Sequence, residues 1–119
     1  DVVDDVYLFF EHKIQQLTVL GVENIILDPG FGFGKTLEHN YQLLTHLSSF
    51  TKLGYPILVG LSRKSMINNV LGTTPEQALN GTTVLHTLAI MNGARILRVH
   101  DVLEAREVVK LTTIYSNSL

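Results

Sequence analysis

The 119-residue chain has no cysteine, no tryptophan and only three prolines. Without cysteine it has neither a disulfide framework nor a thiolate metal site. That fits a reducing compartment, and a cytoplasmic location is expected. No apolar stretch approaches the roughly 18 residues of a membrane span. The opening Asp1-Val2-Val3-Asp4-Asp5 is acidic, without the basic-then-apolar order of a signal peptide, so no membrane partner is expected. Charge of one sign is not in excess either. A net charge of -2 gives no bulk attraction for nucleic acid. An initiator methionine is also absent, and the chain is expected to be a piece of something longer.

A hydrophobic fraction of 45% and a charged fraction of 17% are ordinary for one small globular domain with its own core. The chain is organised around Asn24–Thr36. The apolar run Ile25-Ile26-Leu27 reads as a strand buried on both faces, and it ends on Asp28. A loop of three glycines interleaved with Phe31 and Phe33 follows, closed by Lys35. Polar chemistry at the carboxyl end of such a strand is where α/β sheets and barrels place ligands. Two exposed aromatics between glycines would be unusual in a merely structural loop, so a small-molecule site is expected.

Before that stretch, Val3, Val6, Phe10, Ile14, Leu17 and Leu20 step by three and four, which predicts an amphipathic helix stopped by Gly21. After it, Leu37, Tyr41, Leu44, Leu47 and Phe50 or Thr51 repeat the step until Gly54-Tyr55-Pro56. Ile57–Leu61 is a second buried strand, and Ser62-Arg63-Lys64-Ser65 opens a short helix with Met66, Ile67, Val70 and Leu71, ended by Gly72. Thr74-Pro75-Glu76-Gln77 has the form of a capping box with proline at the first helical position, predicting a helix to about Met91 stopped by Gly93. Arg95–Val99 is a third strand. Asp101 then caps a last helix with Ala105, Val108, Val109 and Thr112 inward, and Ser116–Leu119 is a frayed tail. The predicted strands start at 24, 57 and 95, spacings of 33 and 38 residues that suit βα units in a parallel sheet. A full (β/α)₈ barrel needs eight such units and about 250 residues. With three units here, the chain is expected to be the C-terminal part of one.

Each strand ends in polar residues that a barrel would bring to one face. Asp28 can form a turn before Pro29, or accept two parallel hydrogen bonds from the amino-amide edge of a heterocycle. The loop Gly30-Phe31-Gly32-Phe33-Gly34-Lys35-Thr36 misses the P-loop spacing by one residue, and G-x-G-x-G is not the dinucleotide fingerprint. Lys35 needs only a surface or loop-anchoring role. Arg63 and Lys64 fall in the first turn of a predicted helix, where the dipole disfavours cations, and such conflicts collect at sites. Ser62 and Ser65 read as cap and first-turn residues. Arg98 and His100, two apart on a strand, share a face and make a cationic fork for a phosphate oxygen. The competing account is a structural Arg98 pair with Asp101. His39, His46 and His86 read as surface or satisfied core residues, and no histidine pair has metal-ligand spacing.

Asp28-Pro-Gly-Phe-Gly-Phe-Gly-Lys35, Val59-Gly-Leu-Ser-Arg-Lys-Ser65 and Arg98-Val-His-Asp101, in this order and at these separations, resemble the three C-terminal signatures of the dihydropteroate synthase family. The resemblance covers essentially the whole chain. It implies a (β/α)₈ barrel, usually dimeric, that joins 4-aminobenzoate to hydroxymethyl-dihydropterin diphosphate in folate biosynthesis and is a target of sulfonamides. It also implies that residues 1–119 form strands six to eight of a pterin-binding domain whose N-terminal half lies elsewhere. Position by position, Asp28, Lys64 and Arg98 would hold the pterin; Phe33, Arg63 and Ser65 would lie around 4-aminobenzoate; Arg98 and His100 would hold the diphosphate. Lys64, Arg98 and His100 are the expected catalytic residues. The resemblance implies Mg²⁺, but none of its ligands can be named in this chain. Alone, the segment is expected to be inactive and insoluble without the rest of a barrel. A pterin-binding methyltransferase domain and a non-catalytic fragment are the alternative readings. The cationic Ser-Arg-Lys-Ser loop favours the synthase, whose leaving group is an anion.

Overall fold

A computed structural model describes residues 1–119, which form five α-helices and a short parallel sheet. Helix α1 spans Val2–Val19, and its N-terminus is satisfied by the Asp1 carboxylate, which accepts the Val3 and Asp4 N–H groups. Asp4 and Asp5 in its first turn suit the helix dipole. Gly21, at φ 84°, turns the chain away. The buried face of α1 centres on Phe10, whose ring meets Phe50 edge-on with centroids 5.4 Å apart.

The first predicted strand, Asn24–Asp28, is reduced to one bridge between Leu27 and Ile57. Leu27 N–H donates to Pro56 O, and Leu58 N–H donates to Leu27 O. The next donor on that edge would be residue 29. It is Pro29, which has no N–H, so the ladder stops there. Strands β1 (Leu58–Val59) and β2 (Ile96–Leu97) pair in parallel, Leu58 facing Ile96 and Val59 facing Leu97. The sheet is not buried on both faces. Leu27, Ile57 and Val59 are sealed against the helices, whereas Ile26 is 54% exposed and Leu58 and Ile96 only half-buried. Buried residues of the helices, among them Phe10, Leu43, Met66 and Leu85, share one core with Leu27, Ile57 and Val59, as on the outer side of a barrel wall.

Helix α2 (Leu37–Thr45) starts at Thr36, whose hydroxyl accepts the His39 N–H, and a 3-10 turn over Leu47–Leu53 takes over its apolar step. Helix α3 spans Ser65–Leu71, with Lys64 at its N-cap position and Gly72 left-handed after it. Arg63 and Lys64 therefore precede the helix rather than lying in its first turn. Met66 and Ile67 are buried, but Val70 and Leu71 are exposed. Gln77 Oε1 accepts the Thr74 N–H as predicted, over a 3-10 turn at Pro75–Gln77 that leads into α4 (Leu79–Met91). Helix α5 spans Val102–Asn117 and buries Ala105, Val108 and Thr112, while Val109 is exposed and the predicted tail is helical up to Asn117. No helix is long and apolar enough to cross a membrane.

Candidate functional site

The ends of the three parallel segments gather Asp28, Lys64 and Arg98 beside the glycine loop. Asp28 is both turn former and ion-pair partner. Its Oδ1 accepts the Gly30 N–H at 2.9 Å, and its Oδ2 lies 3.0 Å from Arg98 Nη1. Arg98 thus pairs with Asp28 rather than with Asp101. Both side chains are substantially exposed, 54% for Arg98 and 36% for Asp28, so the pair is weakly held and open to a ligand.

Within the loop, Gly30, Gly32 and Gly34 all take positive φ, which lets the chain fold back on itself. The two phenylalanines have opposite fates. Phe31 is fully buried, so only Phe33, 78% exposed, is available as an aromatic wall. Lys35 Nζ donates to Gly30 O at 2.6 Å and anchors the loop. Asn40, a buried polar residue of α2 that the sequence reading passed over, holds the loop from below. Its Oδ1 accepts the Gly32 N–H and its Nδ2 donates to Thr36 O. The helical step explained its neighbours and gave no signal for it.

Lys64 Nζ donates to Phe31 O at 2.7 Å and stands 5.0 Å from the Phe33 ring centroid. Burial pushes its ammonium below the ordinary lysine value, and repulsion from Arg98 and Lys35 adds to this, while Asp28 opposes it. Three cations and one carboxylate therefore share a small region, an arrangement short of negative charge that an anionic ligand would complete.

Arg63 is held in an ion pair. Its Nε lies 2.9 Å from Asp101 Oδ2 and its Nη2 3.0 Å from Asp101 Oδ1, a bidentate pair, and its Nη1 donates to Pro75 O. Its backbone N–H donates to Thr82 Oγ1, and its φ is 56°. Its guanidinium donors are thereby committed to Asp101 and Pro75. Charge-assisted hydrogen bonding to Asp101 raises the Arg63 pKa and holds the Asp101 carboxyl below its ordinary value. Asp101 occupies the N-cap position of α5, yet its side chain makes no capping bond because Arg63 takes it. Ser65 is an exposed first-turn residue of α3. His100 is exposed, with its Nδ1 2.9 Å from the Oγ of buried Ser62. His39 and His46 are exposed, whereas His86 is buried with Nε2 lacking any partner, so it is not a satisfied core residue.

Magnesium, which the resemblance implies, does not fit these residues. No three His, Asp or Glu side chains come close enough to hold a metal ion, and the one carboxylate of the cluster is shared between Gly30 N–H and Arg98. The groove of about 560 Å³ between α4 and α5, lined in part by Thr87, Met91, Leu111 and Tyr115, contains none of the site residues.

A protein-family model described as "Pterin binding enzyme" matches residues 1–100. The dihydropteroate synthase of Haemophilus influenzae is 43% identical over 120 residues, covering 99% of this chain and 44% of that protein. A Yersinia pestis DHPS structure with a pterine-sulfa conjugate superposes with a TM-score of 0.97 at 43% identity, over 100% of this chain and 48% of that one. A Xanthomonas albilineans dihydropteroate synthase structure with 4-aminobenzoic acid gives 0.93 at 39% identity, over 98% of this chain and 44% of that one. The chain thus spans under half the length of these relatives, and its fold is the corresponding part of their barrel.

Proposed function

The chain belongs to the pterin-binding enzyme family, and from that premise we propose that it is the C-terminal part, strands six to eight, of a dihydropteroate synthase. The complete protein would join 4-aminobenzoate to hydroxymethyl-dihydropterin diphosphate, giving dihydropteroate and diphosphate. The observation that carries this reading is the meeting of Asp28, Lys64 and Arg98 beside exposed Phe33. A carboxylate suits the amino-amide edge of a pterin, and the cations suit its diphosphate. The pterine-sulfa conjugate and 4-aminobenzoic acid held by the two solved relatives support the same substrates, and sulfonamides as competitors.

In the reaction the C–O bond to diphosphate breaks and the electron pair leaves with the phosphate oxygen. The neutral amine of 4-aminobenzoate forms the new C–N bond and loses one proton to solvent. Arg98 and His100 are assigned to the departing charge, whose stabilisation is the larger part of such catalysis. Lys64 and Asp28 hold the pterin, with Arg98 on the same ligand. Phe33 and Ser65 border 4-aminobenzoate and need only position its amine. Arg63 belongs to the same loop and is assigned to the surroundings of 4-aminobenzoate, its guanidinium held by Asp101. Residues 1–119 supply no ligand set for Mg²⁺, so no step is assigned to it here, and any protein ligands would lie in the part of the relatives that this chain does not span. Exposed Val84, Leu88, Leu111 and Ile114 on α4 and α5 support a homodimer of the complete protein. A cytoplasmic setting follows from the folate substrates.

Diphosphate release by the full-length protein, given both substrates, tests the reading. Lys64→Ala and Arg98→Ala should each lower kcat/KM about a hundredfold, and unchanged values for both would sink the assignment. Turnover by residues 1–119 alone would overturn the view that they are part of a larger barrel.

A further inference from the structure

The register of β1 and β2 does not end with the backbone ladder. Leu58 faces Ile96 and Val59 faces Leu97, partners 38 positions apart. The last ladder bond is Arg98 N–H to Val59 O. Beyond it, side chains continue the same offset, for Ser62 meets His100 and Arg63 meets Asp101, both again with a separation of 38. Two loops leaving a sheet are thereby kept in step by two side-chain rungs.

Ser62 is the inner rung and is 4% exposed. Its Oγ accepts the His100 backbone N–H at 3.3 Å and lies 2.9 Å from His100 Nδ1. A hydroxyl carries one proton, and leaving it unmatched in a buried place is costly. Ser62 Oγ makes no hydrogen bond other than these two to His100, so Nδ1 takes that proton. A neutral imidazole that accepts at Nδ1 carries its own hydrogen on Nε2. Since His100 is otherwise exposed, the Nε2–H is the end offered to a ligand.

We infer that Ser62 is a positioning residue for the anion end of the site, its hydroxyl fixing the neutral His100 ring with the donor hydrogen on Nε2. This deepens the proposed function and rests on it in one respect, that the anion is diphosphate. Without the hydroxyl the ring is free to turn or to change tautomer, and a bare nitrogen lone pair facing a phosphate oxygen repels it. The outer rung keeps Ser62 in place. Arg63, held by Asp101 at the side chain and by Thr82 at the backbone, cannot rotate out of its left-handed conformation without breaking a bidentate pair.

Nitrogen-15 NMR of histidine-labelled full-length protein, with His100 assigned through His100→Gln, reads the tautomer directly. Hydrogen on Nε2 is expected in the unaltered protein and a mixture in Ser62→Ala. Calorimetric titration with inorganic diphosphate should show binding to Ser62→Ala about five- to tenfold weaker. Hydrogen on Nδ1 in the unaltered protein overturns the inference, and so does a folded Ser62→Ala that binds diphosphate as tightly. If Ser62→Ala does not fold, the unaltered protein decides: a diphosphate-induced shift of an Nε2–H signal supports the inference, and no shift on binding overturns it. If the unaltered protein binds no diphosphate while His100 carries Nε2–H, the diphosphate reading fails and takes the positioning role with it, leaving only a structural hydrogen bond.

Discussion

Asp28 and Arg98 meet at 3.0 Å across an intervening strand. Strand β1 lies between them, since Leu27 bridges Ile57 and β1 pairs with β2. The contact is possible because the residue that follows β1, under the Arg98 side chain, is Gly60. A Cβ there would stand 2.8 Å from Arg98 Cζ, closer than real side chains come. Gly60→Ala should therefore displace the guanidinium while leaving the sheet paired. The guanidinium is the far end of a flexible side chain that is 54% exposed, so its displacement should cost little stability, and the half-exposed ion pair adds little to that. Activity of the full-length protein should suffer more, with kcat/KM falling at least about tenfold if Arg98 stabilises the leaving group. A Gly60→Ala protein with unaltered kcat/KM would show that the placement of Arg98 does not depend on that bare backbone.

Lys64 gives a pH prediction whose sign follows from its surroundings. Burial, aided by Arg98 and Lys35, lowers its pKa below the ordinary 10.5. Between the lowered value and 10.5 the unfolded chain holds a proton that the folded chain has released, so stability due to Lys64 rises with pH through that window. Tyr41, raised above 10.0 by burial while its hydroxyl donates to Met66 O, works in the opposite direction. The difference between the unaltered protein and Lys64→Met cancels Tyr41. Denaturant titrations should show that difference growing in favour of the unaltered protein as pH rises towards 10.5 and flat near neutrality. A difference independent of pH throughout would mean that Lys64 is as hydrated folded as unfolded.

Local rules in the sequence carry the helices and their stops. Gly21 and Gly72 end helices with positive φ, Thr36 caps α2, and the Thr74–Gln77 exchange precedes α4. The clustering of Asp28, Lys64 and Arg98 was legible because strand ends converge in a parallel α/β wall. Pairing preferences were not. Which arginine takes which aspartate depends on register, and Arg63 finds Asp101 only because the 38-residue offset of the strands continues past their ends. The same pairing removes the Asp101 side chain from the helix cap that its position predicts. The apolar run Ile25-Ile26-Leu27 predicted a strand up to Asp28, but Leu27 alone bridges Ile57, and Pro29 has no N–H to extend the ladder. Phe31 and Phe33 look alike in sequence, and only the loop's left-handed turns send one inward.

His86 is a core residue with an unmet need. Its Nε2 is buried without a partner, and burial lowers its pKa below 6.5, with Asp101 opposing. A depressed histidine pKa means that the unfolded state takes up a proton first as pH falls. Stability should therefore drop from pH 6.5 downward until the folded-state pKa is passed. His86→Leu removes both the titration and the unpaired nitrogen, whose burial costs about 1–3 kcal/mol. The variant should be as stable as the unaltered protein or more so near neutrality, and flatter below pH 6.5. Melting curves across that range check it, and parallel curves for the two proteins would show that His86 is matched in solution.

The two phenylalanines of the glycine loop should respond in opposite ways. Phe31 is fully buried in the core, and Phe31→Ala should cost about 3–5 kcal/mol of stability. Phe33 is 78% exposed and sits at φ 39°, a conformation that strains a bulky side chain and that asparagine tolerates well. The Lys64 ammonium stands 5.0 Å from its ring, a contact worth about 0.5–1 kcal/mol at an exposed site. Relief of backbone strain is of the same size, so Phe33→Asn should leave the melting temperature of the full-length protein nearly unchanged. Its 4-aminobenzoate affinity should nevertheless fall about tenfold, because an aromatic wall contributes on the order of 1 kcal/mol or more to a stacked ring. Calorimetry with 4-aminobenzoate on a pterin-loaded protein separates the two effects. A Phe33→Asn protein that binds 4-aminobenzoate normally would remove Phe33 from the site, and one that melts early would make its ring a structural element after all.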